Sequence, residues 1–107
     1  MSPETRFRLI YAPGVRKHLE VIERKYHALI RREIEAQLQF EPDVETRNRK
    51  PLKRGIAFDV EWEIRFGPRN RFRVFCQVER GEGIVYILAV GVKERDRLMI
   101  SGEEIEL

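Results

Sequence analysis

Two clusters of cations dominate the chemistry open to this sequence. "RNRKPLKR" places Arg47, Arg49, Lys50, Lys53 and Arg54 within eight residues and contains no acid. "RFGPRNRFR" adds Arg65, Arg69, Arg71 and Arg73, again with no carboxylate, and Lys93 and Arg95 follow in "VKERDR". The planar guanidinium fork matches phosphate oxygens, and converging cations stabilise the charge that develops on a phosphodiester under attack. RNA supplies its own 2′-hydroxyl as nucleophile, so its cleavage needs a base, an acid and cations, with neither a metal nor a covalent residue. Charge alone leaves two readings open: a solvated basic surface, or one wall of a site for a polyanion.

The rest of the composition narrows the class. A chain of 107 residues, 42% hydrophobic and 36% charged, is expected to form one soluble globular domain spanning residues 1–107. Lys and Arg number 21 against 18 Asp and Glu, a net +3, but nine of the 21 cations sit in the two clusters while the tail "GEEIEL" is acidic. Such a dipolar chain attracts phosphate backbones at its positive end. Cys76 is the only cysteine, which excludes an internal disulfide, and its apolar surroundings read as core. The opening "MSPETRFRLIY" has no secretory architecture, and the longest apolar run, Ile84 to Val92, is about half of what a membrane helix needs. A cytoplasmic protein without membrane contact is expected. His18 and His27 have no Cys or Asp at ligand spacing, so no metal and no cofactor are expected.

The elements that would position the cations follow from periodicity. "RFRLIYAP" predicts a first strand over Arg6 to Tyr11, closed by Pro13-Gly14. Val15, Leu19, Ile22, Tyr26, Leu29 or Ile30, Ile34 and Leu38 recur at helical spacing, best accommodated as a helical hairpin bent near Tyr26-His27-Ala28 and stopped by Pro42. Asp43 to Gly55 reads as a polar connection. "FDVEWEIRF" (Phe58–Phe66) and "RFRVFCQVE" (Arg71–Glu79) alternate as two strands of a hairpin, and "IVYILAVGVKE" (Ile84–Glu94) is apolar enough for a central strand. The expected fold is α+β, in the order β-α-α-β-β-β, with an antiparallel-rich sheet packed against a helical hairpin on one face. Trp62, Ile64, Phe72 and Val74 would rest on the helices, and the opposite face would present Arg65 and Arg73.

In this order and spacing, "TRNRKPL", "WEIRFGPRNRFRVFCQVE" and "VYILAVGVKERDRL" resemble the RelE/ParE superfamily of toxins from type II toxin–antitoxin modules. The aromatic–Arg73 strand is similar to the family's YR-x-x-Y phrase, and "AVGVKERDR" to its closing GxRxR. The resemblance implies a small toxin held by a cognate antitoxin protein, which in RelE-like members cleaves mRNA on the ribosome without a metal. It places Arg73 where an arginine holds the scissile phosphate, Lys93 and Arg95 at the basic pair after the last strand, and Arg65 at the basic position before the hairpin. Arg47, Arg49, Lys50, Lys53, Arg54, Arg69 and Arg71 would then position RNA backbone. Two positions depart from the pattern: Glu61 and Glu63 stand where some members carry lysines, and Met99 where they carry a tyrosine. Glu63 therefore reads either as a proton acceptor or as one half of a cross-strand salt bridge. The departures also keep two alternatives in view, a non-catalytic ParE-like inhibitor of DNA gyrase and a non-toxic RNA-binding module on the same fold.

Overall fold

The computed structural model describes residues 6–52 and 60–105. Lys53 and Arg54 of the first basic cluster, and Phe58 and Asp59 at the start of an expected strand, lie outside the described residues. The elements run β1 (Arg8–Tyr11), α1 (Val15–Glu20), a 3-10 turn (Arg24–Tyr26), α2 (His27–Leu38), β2 (Arg49–Pro51), β3 (Trp62–Phe66), β4 (Phe72–Glu79), β5 (Ile84–Glu94), β6 (Arg97–Ile100) and β7 (Glu103–Ile105). The α+β class and the helical hairpin on one sheet face match the expectation. Three short strands, β2, β6 and β7, were not expected. Among the described residues no helix is long and apolar enough to cross a membrane.

The sheet order is β2-β3-β4-β5-β6-β7, and each of these neighbours is antiparallel. β1 pairs parallel with the first half of β5, Arg8 opposite Ile84 through Tyr11 opposite Ile87. β6 takes the same edge of β5 further along, where Val92 to Glu94 face Met99 to Arg97. Between these two partners the Val90 N–H would lack a strand acceptor; it donates instead to His18 Nδ1 at 3.2 Å, as a buried backbone donor requires. β5 is thus covered on both edges and both faces, which explains its nearly unbroken apolar run.

The helical spacing read from Val15 to Leu38 marks the core side of both helices. Val15, Ile22, Ile30, Ile34 and Leu38 are buried in one cluster with Ile64, Phe72, Val74, Cys76, Ile87 and Val90 from the sheet. Trp62 packs against the same cluster, as expected. The bend falls just before Tyr26, and His27 stitches it. Its Nε2–H donates to the carbonyls of Leu19 and Ile22, both at 2.9 Å, tying the start of α2 to the end of α1. Both histidines therefore hold backbone. Cys76 is buried and its thiol is pushed up to about 12 by desolvation, which fits a core residue.

The second sheet face is not uniformly basic. Val60, Phe75, Ala89 and Leu98 form a smaller buried cluster there, with Leu52, Leu88, Ile100 and Ile105 packed around it. The alternation of "FDVEWEIRF" assigned Val60 to the Trp62 face. The Glu61 N–H instead donates to the Cys76 carbonyl at 2.9 Å, although Trp62 is the residue in register with Cys76. Two consecutive residues address one partner, as in a β-bulge, and the period slips by one. Gly91 lets β6 lie close over this face: a Cβ there would stand 3.0 Å from Leu98 Cδ1, Ile100 Cγ1 and the Met99 carbonyl.

Candidate nucleic-acid interface

Two turns at the same end of the sheet build the site. Gly67-Pro68-Arg69-Asn70 joins β3 to β4, and Arg95-Asp96 joins β5 to β6. Arg69 (φ 56°), Asn70 (φ 52°) and Arg95 (φ 57°) all occupy the left-handed region, which disfavours residues with a Cβ. Gly67, at φ 81°, cannot be replaced by any of them, because a Cβ would come within 2.5 Å of the Phe72 ring. The Lys93 N–H donates to the Arg71 carbonyl at 2.7 Å and holds the two turns together.

Between the turns lies an open cavity of about 720 Å3, walled by Arg69, Arg71, Arg73, Lys93, Glu94 and Arg95. Three of the four proposed catalytic cations, Arg73, Lys93 and Arg95, line it together with the two turn arginines. Arg65 does not. It stands directly opposite Arg73 across the β3–β4 pair, a like-charge arrangement that is unfavourable without a counter-ion. Glu63 is that counter-ion. Its Oε1 accepts from Arg65 Nε at 3.1 Å and its Oε2 from Arg73 Nη1 at 3.2 Å, with the residue only 3% exposed. Arg73 Nε also donates to the Asn70 carbonyl at 2.9 Å. Two of its nitrogens are therefore braced, and among the described residues Nη2 has no protein partner.

The same geometry resolves the roles left open for the carboxylates. Glu63 has both oxygens engaged and is the salt-bridge partner of Arg65 and Arg73. Glu61 Oε1 accepts the Val78 N–H at 2.9 Å and is structural. Glu94 is the carboxylate that lines the cavity, and its side chain is exposed. Strand alternation hid it, since alternation groups Lys93 with Arg95 and sets Glu94 on the other face. Met99 lies between Val92 and Glu104 in the sheet and does not line this cavity.

The first cluster is divided by the alternation of β2. Arg49 pairs with Ile64 and points to the helix side. It is 7% exposed, with Nε donating to the Val44 carbonyl at 2.7 Å and Nη1 to the Gln37 carbonyl. Gln37 belongs to the last turn of α2, so Arg49 is a cation closing a helix C-terminus. The expectation that it positions RNA is corrected: the charge is buried and spent on backbone. Lys50 faces the opposite way, in register with Glu63, with Nζ 3.3 Å from Glu45. Arg47 is exposed, and the neighbouring Asn48 carbonyl accepts the Arg65 N–H at 2.8 Å, which places Arg47 at the cavity's end of the sheet. Lys53 and Arg54 cannot be placed, being outside the described residues. Arg71 is partly covered, lying 5.3 Å from the Phe72 ring centre and 5.7 Å from that of Tyr26. Among the described residues no group of three metal-ligating side chains occurs.

Comparison with solved structures returns this architecture. The chain superposes with a TM-score of 0.68 on a chain of the RelBE2 toxin–antitoxin complex from Mycobacterium tuberculosis, covering 87% of this chain and 98% of that one at 20% sequence identity. The RelE-like fold expected from the sequence is thereby shown, as a fold. No family model and no curated protein matches the sequence.

Proposed function

We propose that the protein is the toxin of a type II toxin–antitoxin module, acting in the cytoplasm as a metal-independent mRNA endoribonuclease on the ribosome. The observation that carries the proposal is the convergence of Arg69, Arg71, Arg73, Lys93 and Arg95 on one open cavity, with Arg73 braced by Glu63. The fold shared with a chain of a toxin–antitoxin complex supports it.

In this reading a phosphodiester of the mRNA lies between the two turns. Arg73, immobilised before substrate arrives, directs its Nη2 at a non-bridging oxygen and needs little reorganisation as charge builds there. Lys93 and Arg95 neutralise the remaining charge. Glu94 is suited to take the proton from the 2′-hydroxyl, because a carboxylate in the cavity can reach the sugar while the arginines hold the phosphate. Lys93, at the same wall, can donate to the leaving 5′-oxygen. Arg47, Arg69 and Arg71 fix the RNA backbone. The cognate antitoxin would neutralise this basic end.

The test is induced expression followed by mapping of mRNA ends. The wild-type chain should halt translation and cut mRNA within codons, and Lys93→Ala combined with Arg95→Ala should abolish both. These two side chains are exposed, so the variant keeps its fold; Arg73→Ala alone would strand Glu63 and confuse activity with stability. Undiminished cleavage by the double variant refutes the assignment. The structural commitment of Glu61 and Glu63, where lysines work in some relatives, favours one alternative: inhibition by binding, as in ParE-like members that poison DNA gyrase. Growth arrest with intact mRNA and DNA-damage signalling would select it.

A further inference from the structure

The cationic cavity keeps a surplus of charge after its own ion pairs are drawn. Arg69, Arg71, Arg73, Lys93 and Arg95 line it, and Glu94 is the one carboxylate on its wall among the described residues. Arg73 is offset by Glu63. Among the described residues, Arg69, Arg71, Lys93 and Arg95 form no ion pair with any carboxylate. Arg69, Lys93 and Arg95 are also exposed, so a ligand reaches them from solvent. Arg69 and Arg95 stand on different turns, and both hold left-handed backbone, at φ 56° and 57°. Glycine would sit there without strain. Strain of this kind collects at ligand clamps, and here it accompanies a cation on each of the two turns that frame the cavity.

An internal phosphate of an RNA strand carries a single charge, and a sugar separates it from the next. A strand therefore spreads its charge thinly over a surplus gathered at one place. A triphosphate chain joins its phosphates directly through bridging oxygens. Each inner phosphate carries one charge and the terminal one about 1.5–2 at pH 7, so several charges arrive together in a short ligand. Its oxygens suit the planar fork of an arginine and the point charge of a lysine alike. We propose that the cationic cavity also binds a free triphosphate chain, inorganic or carried by a nucleoside, which engages Arg69 and Arg95 from the two turns and keeps RNA out while it is bound. The proposal rests on the reading of the cavity as a phosphate site, and it makes that site answer to soluble triphosphate.

The experiment follows fluorescence anisotropy of labelled 2′-O-methyl hexauridylate on the purified chain, in EDTA, as inorganic phosphate, pyrophosphate or triphosphate is added. Ionic strength is held constant with chloride, because polyanion binding depends on salt. Each added phosphate should lower the competing concentration about tenfold, the scale of one charge-assisted contact. ATP that competes like inorganic triphosphate makes nucleotides a source of the ligand; ATP that competes only like pyrophosphate restricts it to the inorganic chain, and both results keep the site. Arg69→Gln combined with Arg95→Gln should compress the series to within about threefold and cost triphosphate more affinity than hexauridylate; both side chains are exposed, so the fold is not threatened. Equal competition by the three anions on the wild-type chain, or a graded series that survives in the double variant, overturns the proposal and leaves the RNA site standing. If hexauridylate fails to bind at low salt, the RNA reading falls, and calorimetric titration with inorganic triphosphate decides this proposal separately. Saturable one-to-one binding then keeps it, and absence of binding overturns it.

Discussion

Replacing Glu63 with glutamine keeps the volume of the side chain and deletes its charge. Three groups then change state. Arg73, 8% exposed, loses the only carboxylate found on it among the described residues and retains the Asn70 carbonyl. Arg65 and Arg73 face each other across β3 and β4 without a counter-ion. Glutamine can return one acceptor, not two. Removing one partner of a buried pair costs about 3–5 kcal/mol. The Arg65 side chain is 39% exposed, so its share is screened and worth well under about 1 kcal/mol. The loss should therefore lie at the low end, about 3 kcal/mol, a fall in Tm of roughly 15 °C for a chain of this size. Urea unfolding monitored by Trp62 fluorescence measures it, and an unchanged m-value confirms that the same fold is being unfolded.

The binding measurement on the same variant is more decisive because two accounts predict opposite signs. If Glu63 acts only through its field, deleting a negative charge beside a polyanion site strengthens RNA binding. If it braces Arg73, the guanidinium loses its aim and binding weakens, by about tenfold for the loss of one well-placed charge-assisted contact. Tighter binding by Glu63→Gln at a temperature where it is fully folded would refute the bracing argument, as would a stability change below about 0.5 kcal/mol, the range of ordinary surface substitutions.

Other consequences can be measured directly. Arg69→Gly and Arg95→Gly remove a Cβ from left-handed backbone and should each raise stability by up to about 1 kcal/mol while weakening RNA binding; a variant that loses stability would show that these turns are not strained. Arg49→Met should destabilise by about 2–3 kcal/mol, since charge-assisted bonds to two carbonyls disappear, yet leave the salt dependence of RNA binding unchanged. A shallower salt slope would return Arg49 to the docking set. Acid should erode stability in two steps. Burial lowers the pKa of His18 from its ordinary 6.5, so its bond from Val90 is fully present above about pH 6.5 and lost as the ring is protonated below it; His18→Gln should abolish that step. The hydrogen bond from Arg80 holds the Asp43 carboxyl below its usual range, a contribution present above the unfolded carboxylate value and lost as pH falls through the folded one. Asp43→Asn should remove the second step.

The longer elements were legible because burial wrote a period into them. Val15 to Leu38 repeats at helical spacing since one side of each helix meets the sheet, and Ile84 to Glu94 is apolar throughout since β5 is enclosed. β2, β6 and β7 have three or four residues each, too few to establish a period. β2 is also charged, because Arg49 enters the interior to serve backbone carbonyls rather than to fill space. The bulge at Glu61–Trp62 was illegible for a different reason: a slip of one residue leaves composition untouched and becomes visible only in the register. These omissions shaped the site. A reading without β6 and β7 leaves Lys93 and Arg95 at a free strand end, where the structure has a hairpin.

Charge density was the weakest guide to function, because an arginine performs unrelated work according to which way its strand turns it. Arg49 and Lys50 are adjacent, yet β2 sends one to the end of α2 and the other to the face of Glu63. Arg80 clamps Asp43 across 37 residues of chain. Arg73 belongs to both kinds, bound to structure through Nε and Nη1 and turned to the cavity by the same bonds. This double commitment gives a physical account of a glutamate standing between two opposed arginines. A lysine would add another cation to an opposed arginine pair, whereas a glutamate cancels the repulsion and fixes one guanidinium. Glu63→Lys would bring three cations together in a buried space, and the chain should unfold in urea well before Glu63→Gln does. A Glu63→Lys protein as stable as Glu63→Gln would mean that the arginines can relax apart, and that the brace is weaker than its burial implies.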